Sequence, residues 1–312
     1  MKNRDIAVAV TSRSFSRNNI LRKELLQQYK NVKFNDDGLK LQDDALVSFL
    51  KGHQKAIIAL ERINEDLLNK LPGLKVISKY GVGLDMIDMQ AMHKHNMKLG
   101  WTGGVNRRSV SELVISLTIA LLRHVLVSNR EVLSGTWKQH MGGHLSGLTI
   151  GIIGCGYVGK DLVKMLQPFD CPILVNDIKN YDDFYKRYNV KAVEKEELLA
   201  KSDVVTLHTP LDDSTRNMLT AEKLSLMKSD AILINLARGN LLDENALKKM
   251  LMTNKLGGVA LDVFSVEPPK DAELLNLSNF IVTPHIGGSA KEAILAMGMA
   301  AIDGLDDNHI VL

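Results

Sequence analysis

The sequence predicts an α/β protein of two domains, each built on a mainly parallel sheet. Three observations carry that prediction. Short apolar runs alternate with amphipathic stretches along almost all of the 312 residues, the pattern of strand–helix–strand crossovers. The length is enough for more than one hydrophobic core. A glycine-rich turn, Gly154-Cys155-Gly156-Tyr157-Val158-Gly159, follows one apolar run and opens an amphipathic one, the context in which such turns approach phosphate groups.

Composition narrows the function classes. Hydrophobic residues make up 45% and charged residues 24%, ordinary for a globular chain. A formal charge of +3 suits a small anionic ligand. It does not argue for nucleic acid, and no basic block carries the interleaved aromatics of a single-strand binder. The two cysteines, Cys155 and Cys171, have neither metal-type nor disulfide-type spacing, so a reducing, cytoplasmic setting without a metal is expected. The opening residues hold an apolar run too short for a secretory core. The longest apolar stretch, near 113–127, is interrupted by Ser116, Thr118, Arg123 and His124 and falls short of a membrane span.

Taken in order, "IAVAV" (6–10), "KAIIAL" (55–60) and "LKVIS" (74–78) read as buried strands. "DDALVSFLKG" and "NEDLLNKL" read as helices between them. The pattern then changes at 106–125. Ser109 and Glu112 have capping-box spacing, and the apolar residues that follow cover nearly every face, so this helix is expected to be buried on several sides. A second series of strands comes next: "LTIGIIG" (148–154), "PILVND" (172–177), "DVVTLH" (203–208), "AILINLA" (231–237), "GGVALDV" (257–263) and "NFIVTP" (279–284). The last helix is expected at 289–305. No linker composition marks a boundary, so pattern alone sets it. Residues 101–285 form one domain. Residues 286–312 are too few for a domain and are expected to pack back on 1–100.

The glycine turn reads as a dinucleotide seat. Gly154 permits the tight turn, Gly156 the approach of a pyrophosphate to the backbone, and Gly159 close helix–strand packing. The next strand ends in Asp177, placed as an acid that accepts ribose hydroxyls and repels a 2′-phosphate, which favours NAD over NADP. Cys155 reads as a small loop residue, with no basic neighbour in sequence to activate it.

In an open parallel sheet, ligands gather outside the carboxyl ends of the strands. Asp177, His208, Arg238, Asp262 and His285 each fall at or just past such an end, and Glu267 stands five residues beyond Asp262. Arginine presents a planar fork to a carboxylate. A carboxylate beside a histidine fixes its tautomer. With a nicotinamide, this set implies oxidation of an alcohol next to a carboxylate, with His285 moving the hydroxyl proton. A purely structural ion pair is the competing reading.

Several longer stretches then become specific: "KYGVGLDMID" (79–88), "GGVNRRSVSELV" (103–114), the glycine turn, "LHTPLDDSTRNML" (207–219), "INLARGNLLDENAL" (234–247), "GVALDVFSVEP" (258–268) and "TPHIGGS" (283–289). Over nearly its whole length the chain resembles the D-isomer-specific 2-hydroxyacid dehydrogenase family, nearest its 3-phosphoglycerate dehydrogenase type. The resemblance implies a Rossmann-type, doubly wound cofactor domain inserted into a smaller flavodoxin-like substrate domain, with the active site in the cleft. It implies a homodimer with the helix near 107–125 at the contact, and a small anionic 2-hydroxy or 2-keto acid as substrate. By the same resemblance Arg238 holds the substrate carboxylate, His285 is the acid/base and Glu267 its partner. Tyr157, Val158, Thr209, Pro210, Thr215 and Ala237 join the glycines and Asp177 in lining the NAD site. Asp262 bonds the nicotinamide carboxamide and Val110 lies against that ring, while the amides of Val82 and Gly83 receive the substrate carboxylate.

Two departures stand out. Thr102-Gly103 replaces a common Thr-Pro. Leu60 stands where phosphoglycerate-oxidising members often carry an arginine, with Arg62 two residues on and Lys79 just before the "YGVG" loop, so phosphate recognition is left open. No appended regulatory domain is expected after the last helix. Two other functions share the fold: an NAD(H)-sensing scaffold or corepressor, and a phosphite dehydrogenase-type oxidoreductase. Formate oxidisers tend to carry glutamine at the position of Glu267.

Overall fold

The computed structural model describes residues 4–310. The first sheet begins with β1 (Val8–Val10), β2 (Val32–Phe34), β3 (Lys55–Ile58), β4 (Val76–Lys79) and β5 (Lys98–Gly100). The second holds β6 (Ile150–Ile153), β7 (Ile173–Asn176), β8 (Val190–Ala192), β9 (Val204–Leu207), β10 (Ile232–Asn235), β11 (Gly258–Leu261) and β12 (Phe280–Val282). The chain then returns to the first sheet as β13 (His309–Ile310). By contacts it divides into two units. One runs up to Asn106 and resumes from Lys291; the other is Arg107–Ala290.

The second unit has strand order β12-β11-β10-β9-β6-β7-β8, all parallel. Counted within the unit this is the 3-2-1-4-5-6 order of a Rossmann sheet with one further strand, and its topological switch lies between β6 and β9. The central strands are buried along their whole length, as strands covered on both faces must be. Alternate residues serve opposite cores. Ile153, Leu207, Leu233 and Leu261 pack with Leu198, Leu247 and Phe280 on one face. Ile152, Val175, Ile234 and Ala260 pack with Val114 and Leu162 on the other.

The first unit has order β13-β5-β4-β3-β1-β2. Its parallel strands follow the flavodoxin-like 2-1-3-4-5 order, and β13 adds antiparallel to β5. The helix Lys291–Asp303 supplies Ala301 and Ile302 to the core that holds Val8, Val10 and Ile57. Close approach requires glycine where the chain leaves this helix. A Cβ on Gly100 would lie 2.0 Å from the Gly304 carbonyl oxygen.

Two expectations for residues 106–125 change. The helix runs only from Arg107 to Leu122. His124 takes a left-handed φ of 52°, and the chain bends by 61° into a second helix, Val125–Leu133. Among the described residues, no single helix is long and apolar enough to cross a membrane. Ser109 does not begin a capping box. It lies inside the first turn, where its hydroxyl donates to the Gly287 carbonyl at 2.7 Å and accepts from the Ala290 amide at 3.3 Å. Tertiary contact outcompetes the local motif here.

Candidate active site

Within the Rossmann unit the glycine turn joins β6 to the helix Tyr157–Leu166. Gly154 has φ +97°, and a Cβ there would lie 2.7 Å from the His208 backbone. A Cβ on Gly159 would lie 2.3 Å from the Gly154 carbonyl oxygen. Gly156 differs from both: a Cβ there would meet no protein atom within 4 Å. It caps a helix that has no side-chain cap of its own, so the first-turn amides suit an anion. Tyr157 is exposed and Val158 half-buried beside this opening.

Asp177 follows β7 and reaches back to the turn. One carboxylate oxygen accepts from the Cys155 amide at 2.6 Å and the other from the Lys179 amide at 2.8 Å, so the acid fixes the turn. Cys155 is fully buried, and burial pushes its thiol up to about 11, which keeps it unreactive. Across the switch, His208 follows β9 with its ring nitrogen Nε2 3.0 Å from the Thr206 hydroxyl. Desolvation pushes its pKa down to about 3, so the ring is neutral. The Thr209 hydroxyl oxygen is buried with no hydrogen-bond partner among the described residues. Enclosed polar groups are seldom left so, which makes it a natural ligand contact. Pro210 is exposed. Thr215 is spent on its own loop, donating to the Pro210 carbonyl at 2.8 Å and accepting from the Asp212 amide at 2.9 Å. The open Gly156, the uncapped helix and the unpartnered Thr209 hydroxyl fit a dinucleotide.

The polar tips of β10, β11 and β12 lie side by side because these strands are adjacent and parallel. Asn235, buried at the end of β10, shapes the first tip. Its side chain accepts from the Ala237 amide at 3.0 Å and donates to the Arg238 carbonyl at 2.8 Å. The Arg238 guanidinium is half-buried and donates to the Ala237 carbonyl at 2.7 Å. A Cβ on Gly239 would lie 1.9 Å from the Phe264 carbonyl oxygen, so this turn abuts the segment leading from β11 to Glu267. Glu267 accepts from the Phe264 amide at 3.2 Å through one oxygen, and its other oxygen lies 3.1 Å from Nδ1 of His285. Among the described residues, Nε2 of His285 makes no hydrogen bond. Both side chains are exposed, 49% for His285 and 42% for Glu267.

Asp262, expected at the nicotinamide, is 1% exposed and turns its carboxylate toward the segment that carries His285. It accepts from the Thr283 hydroxyl at 2.6 Å and from the amides of Ile286 and Gly287, each at 2.7 Å. Val110 is buried on the helix beside this segment, with its Cγ2 3.6 Å from where a Gly287 Cβ would stand. Val82 and Gly83 belong to the other unit, in the turn after β4, where the Trp101 indole donates to the Val82 carbonyl at 3.0 Å. Leu60, after β3 of that unit, is 75% exposed. Sequence reasoning missed Asn235 and misread Ser109. An asparagine just before a turn, within "INLARG", is the signal in the sequence that points to Asn235.

The family model for the NAD-binding domain of D-isomer specific 2-hydroxyacid dehydrogenases matches residues 115–287. The chain belongs to the D-isomer specific 2-hydroxyacid dehydrogenase family. Within that family it is 35% identical over 268 residues to D-3-phosphoglycerate dehydrogenase of Bacillus subtilis, covering 85% of this chain and 49% of the relative. It is 33% identical over 270 residues to hydroxypyruvate reductase of Thermotoga maritima, covering 84% and 87%. A solved D-lactate dehydrogenase of Aquifex aeolicus, complexed with NAD and lactic acid, has a TM-score of 0.82 at 25% identity, covering 95% of this chain and 93% of that one. The chain spans about half the length of the phosphoglycerate dehydrogenases it matches.

Proposed function

We propose that this member of the D-isomer specific 2-hydroxyacid dehydrogenase family is an NAD-dependent 2-keto acid reductase. In reverse it would oxidise the D-2-hydroxy acid. The observation that supports this most is the contact between His285, after β12, and Glu267, after β11, the strand adjacent to the β10 that carries Arg238. When bound, NAD(H) supplies or accepts the hydride at C2. In reduction, protonated His285 gives the proton on Nε2 to the oxygen forming at C2, while its Nδ1–H stays on the Glu267 carboxylate. In oxidation, neutral His285 with the proton on Nδ1 takes the hydroxyl proton at Nε2. Arg238 offers its fork to the substrate carboxylate and the C2 oxygen. Gly154, Gly156 and Gly159 seat the pyrophosphate, with Tyr157, Val158, Thr209 and Pro210 around the opening. Asp177 serves the adenosine ribose and so favours NAD. The substrate is a small 2-keto acid. Leu60 in place of an arginine supports one without phosphate.

A second copy of this chain is the expected partner. The helix Val125–Leu133 buries none of its residues, and Leu133, Trp137 and Met141 are 81%, 85% and 96% exposed, an apolar surface that association would cover. A cytoplasmic setting suits the two free cysteines. The test is NADH consumption with hydroxypyruvate, glyoxylate, 2-oxoglutarate and 3-phosphohydroxypyruvate. Turnover of at least one supports the reading. NADH binding without turnover of any would favour a sensing scaffold instead.

A further inference from the structure

We propose that Asp262 and Ser109 are positioning residues that grip the His285 turn from two sides and so aim its free ring nitrogen. The inference rests on reading His285 as the acid/base. His285 has φ +56°, a left-handed backbone that non-glycine residues adopt rarely and that surrounding contacts must hold. Asp262 grips residues on both sides of it, Thr283 two before and Ile286 and Gly287 one and two after. Its own carbonyl takes the His285 amide at 2.9 Å. The three bonds to the buried Asp262 carboxylate are short, 2.6–2.7 Å. Ser109 closes the other side. Gly287 gives its amide to Asp262 and its carbonyl to the Ser109 hydroxyl, and Ser109 also takes the Ala290 amide. The fit is close, since a Cβ on Gly287 would lie 3.1 Å from the Asp262 carboxylate.

This role differs from a cofactor contact in what it changes. A carboxylate that bonds the cofactor would alter cofactor affinity. One that holds the turn alters turnover and local exchange. The experiment uses full-length Asp262→Asn and Ser109→Ala, with His285→Ala as control. It reads NADH affinity by fluorescence, kcat and KM for hydroxypyruvate, and deuterium exchange of the peptide holding Ile286 and Gly287. We expect faster exchange in both variants. In Asp262→Asn, kcat should fall about 100-fold, the scale of a misplaced reacting group, with NADH affinity within about threefold of the parent. Ser109→Ala should lose about tenfold in kcat. Unchanged exchange overturns the proposal, as does unchanged kcat, or an NADH affinity that falls as far as kcat. If Asp262→Asn does not fold, Thr283→Val removes one grip and is judged by the same readings. Should His285→Ala keep full turnover, the acid/base reading fails by itself, and exchange still decides whether the turn is gripped.

Discussion

His285 and Glu267 are both exposed, so their contact adds little to folding, and on the proposed function it orients the ring. His285→Ala should therefore leave thermal stability and NADH binding intact while lowering kcat by about 100-fold or more. Steady-state kinetics beside a binding titration checks this, and equal turnover would remove His285 from the chemistry. The glycine turn gives a second contrast. A methyl on Gly156 meets no protein atom, whereas one on Gly159 meets the Gly154 carbonyl. Gly156→Ala should keep its melting temperature and lose at least about tenfold in NADH affinity. Gly159→Ala should lose stability by about 1–3 kcal/mol, the usual cost of overpacking. Equal effects of the two on melting and binding would contradict the assigned seat.

At the scale of elements, the long buried strands and the glycine turn were legible because four or more apolar residues in a row can only be covered on both faces. β2, β5, β8 and β13 were not. Each has two or three residues, with lysine or histidine among them, and only pairing to a neighbour makes them strands. The polar tips of β10, β11 and β12 could be listed from sequence. What each side chain grips could not, because Asp262 and Ser109 act through residues about 20 and 180 positions away, as folding places them. The tip of β9 makes a pH prediction. His208 titrates near 3 when folded and near 6.5 when unfolded, so between those values the unfolded chain binds the extra proton. Stability from this residue is full above about pH 6.5 and declines as pH falls toward 3, by at most about 1.4 kcal/mol per pH unit. Denaturant unfolding of His208→Gln should show a flatter decline over that window than the parent. Parallel curves would contradict the neutral, desolvated ring.

At the scale of the molecule, a polar knot at Lys55 helps to hold the chain's return to its first sheet, beside the Ser78 bond to the Ala301 carbonyl and the pairing of β13 with β5. The Lys55 ammonium donates to the Leu305 carbonyl at 2.7 Å, to the Asp306 carboxylate at 2.6 Å and to the Tyr29 hydroxyl at 3.0 Å. The Tyr29 hydroxyl donates to Asp306 at 2.7 Å, and burial pushes its pKa up. Lys55→Met should cost about 2 kcal/mol by leaving these acceptors unmatched, read as a lower melting temperature; no change would mean that the apolar contacts of Ala301 and Ile302 suffice. The exposed run through Leu133, Trp137 and Met141 tests the proposed dimer: the parent should sediment as a dimer and Leu133→Asp with Trp137→Ser as a monomer, whereas a monomeric parent or an unshifted variant would contradict this contact. On the proposed function, this strand-tip set moves a proton while a nicotinamide exchanges hydride with C2. Its most direct test is NADH consumption in the presence of small 2-keto acids, by the parent and by His285→Ala. Substrate-dependent consumption is expected from the parent, and almost none from the variant at saturating NADH. Equal consumption by both, or none by the parent with any keto acid, would contradict that function.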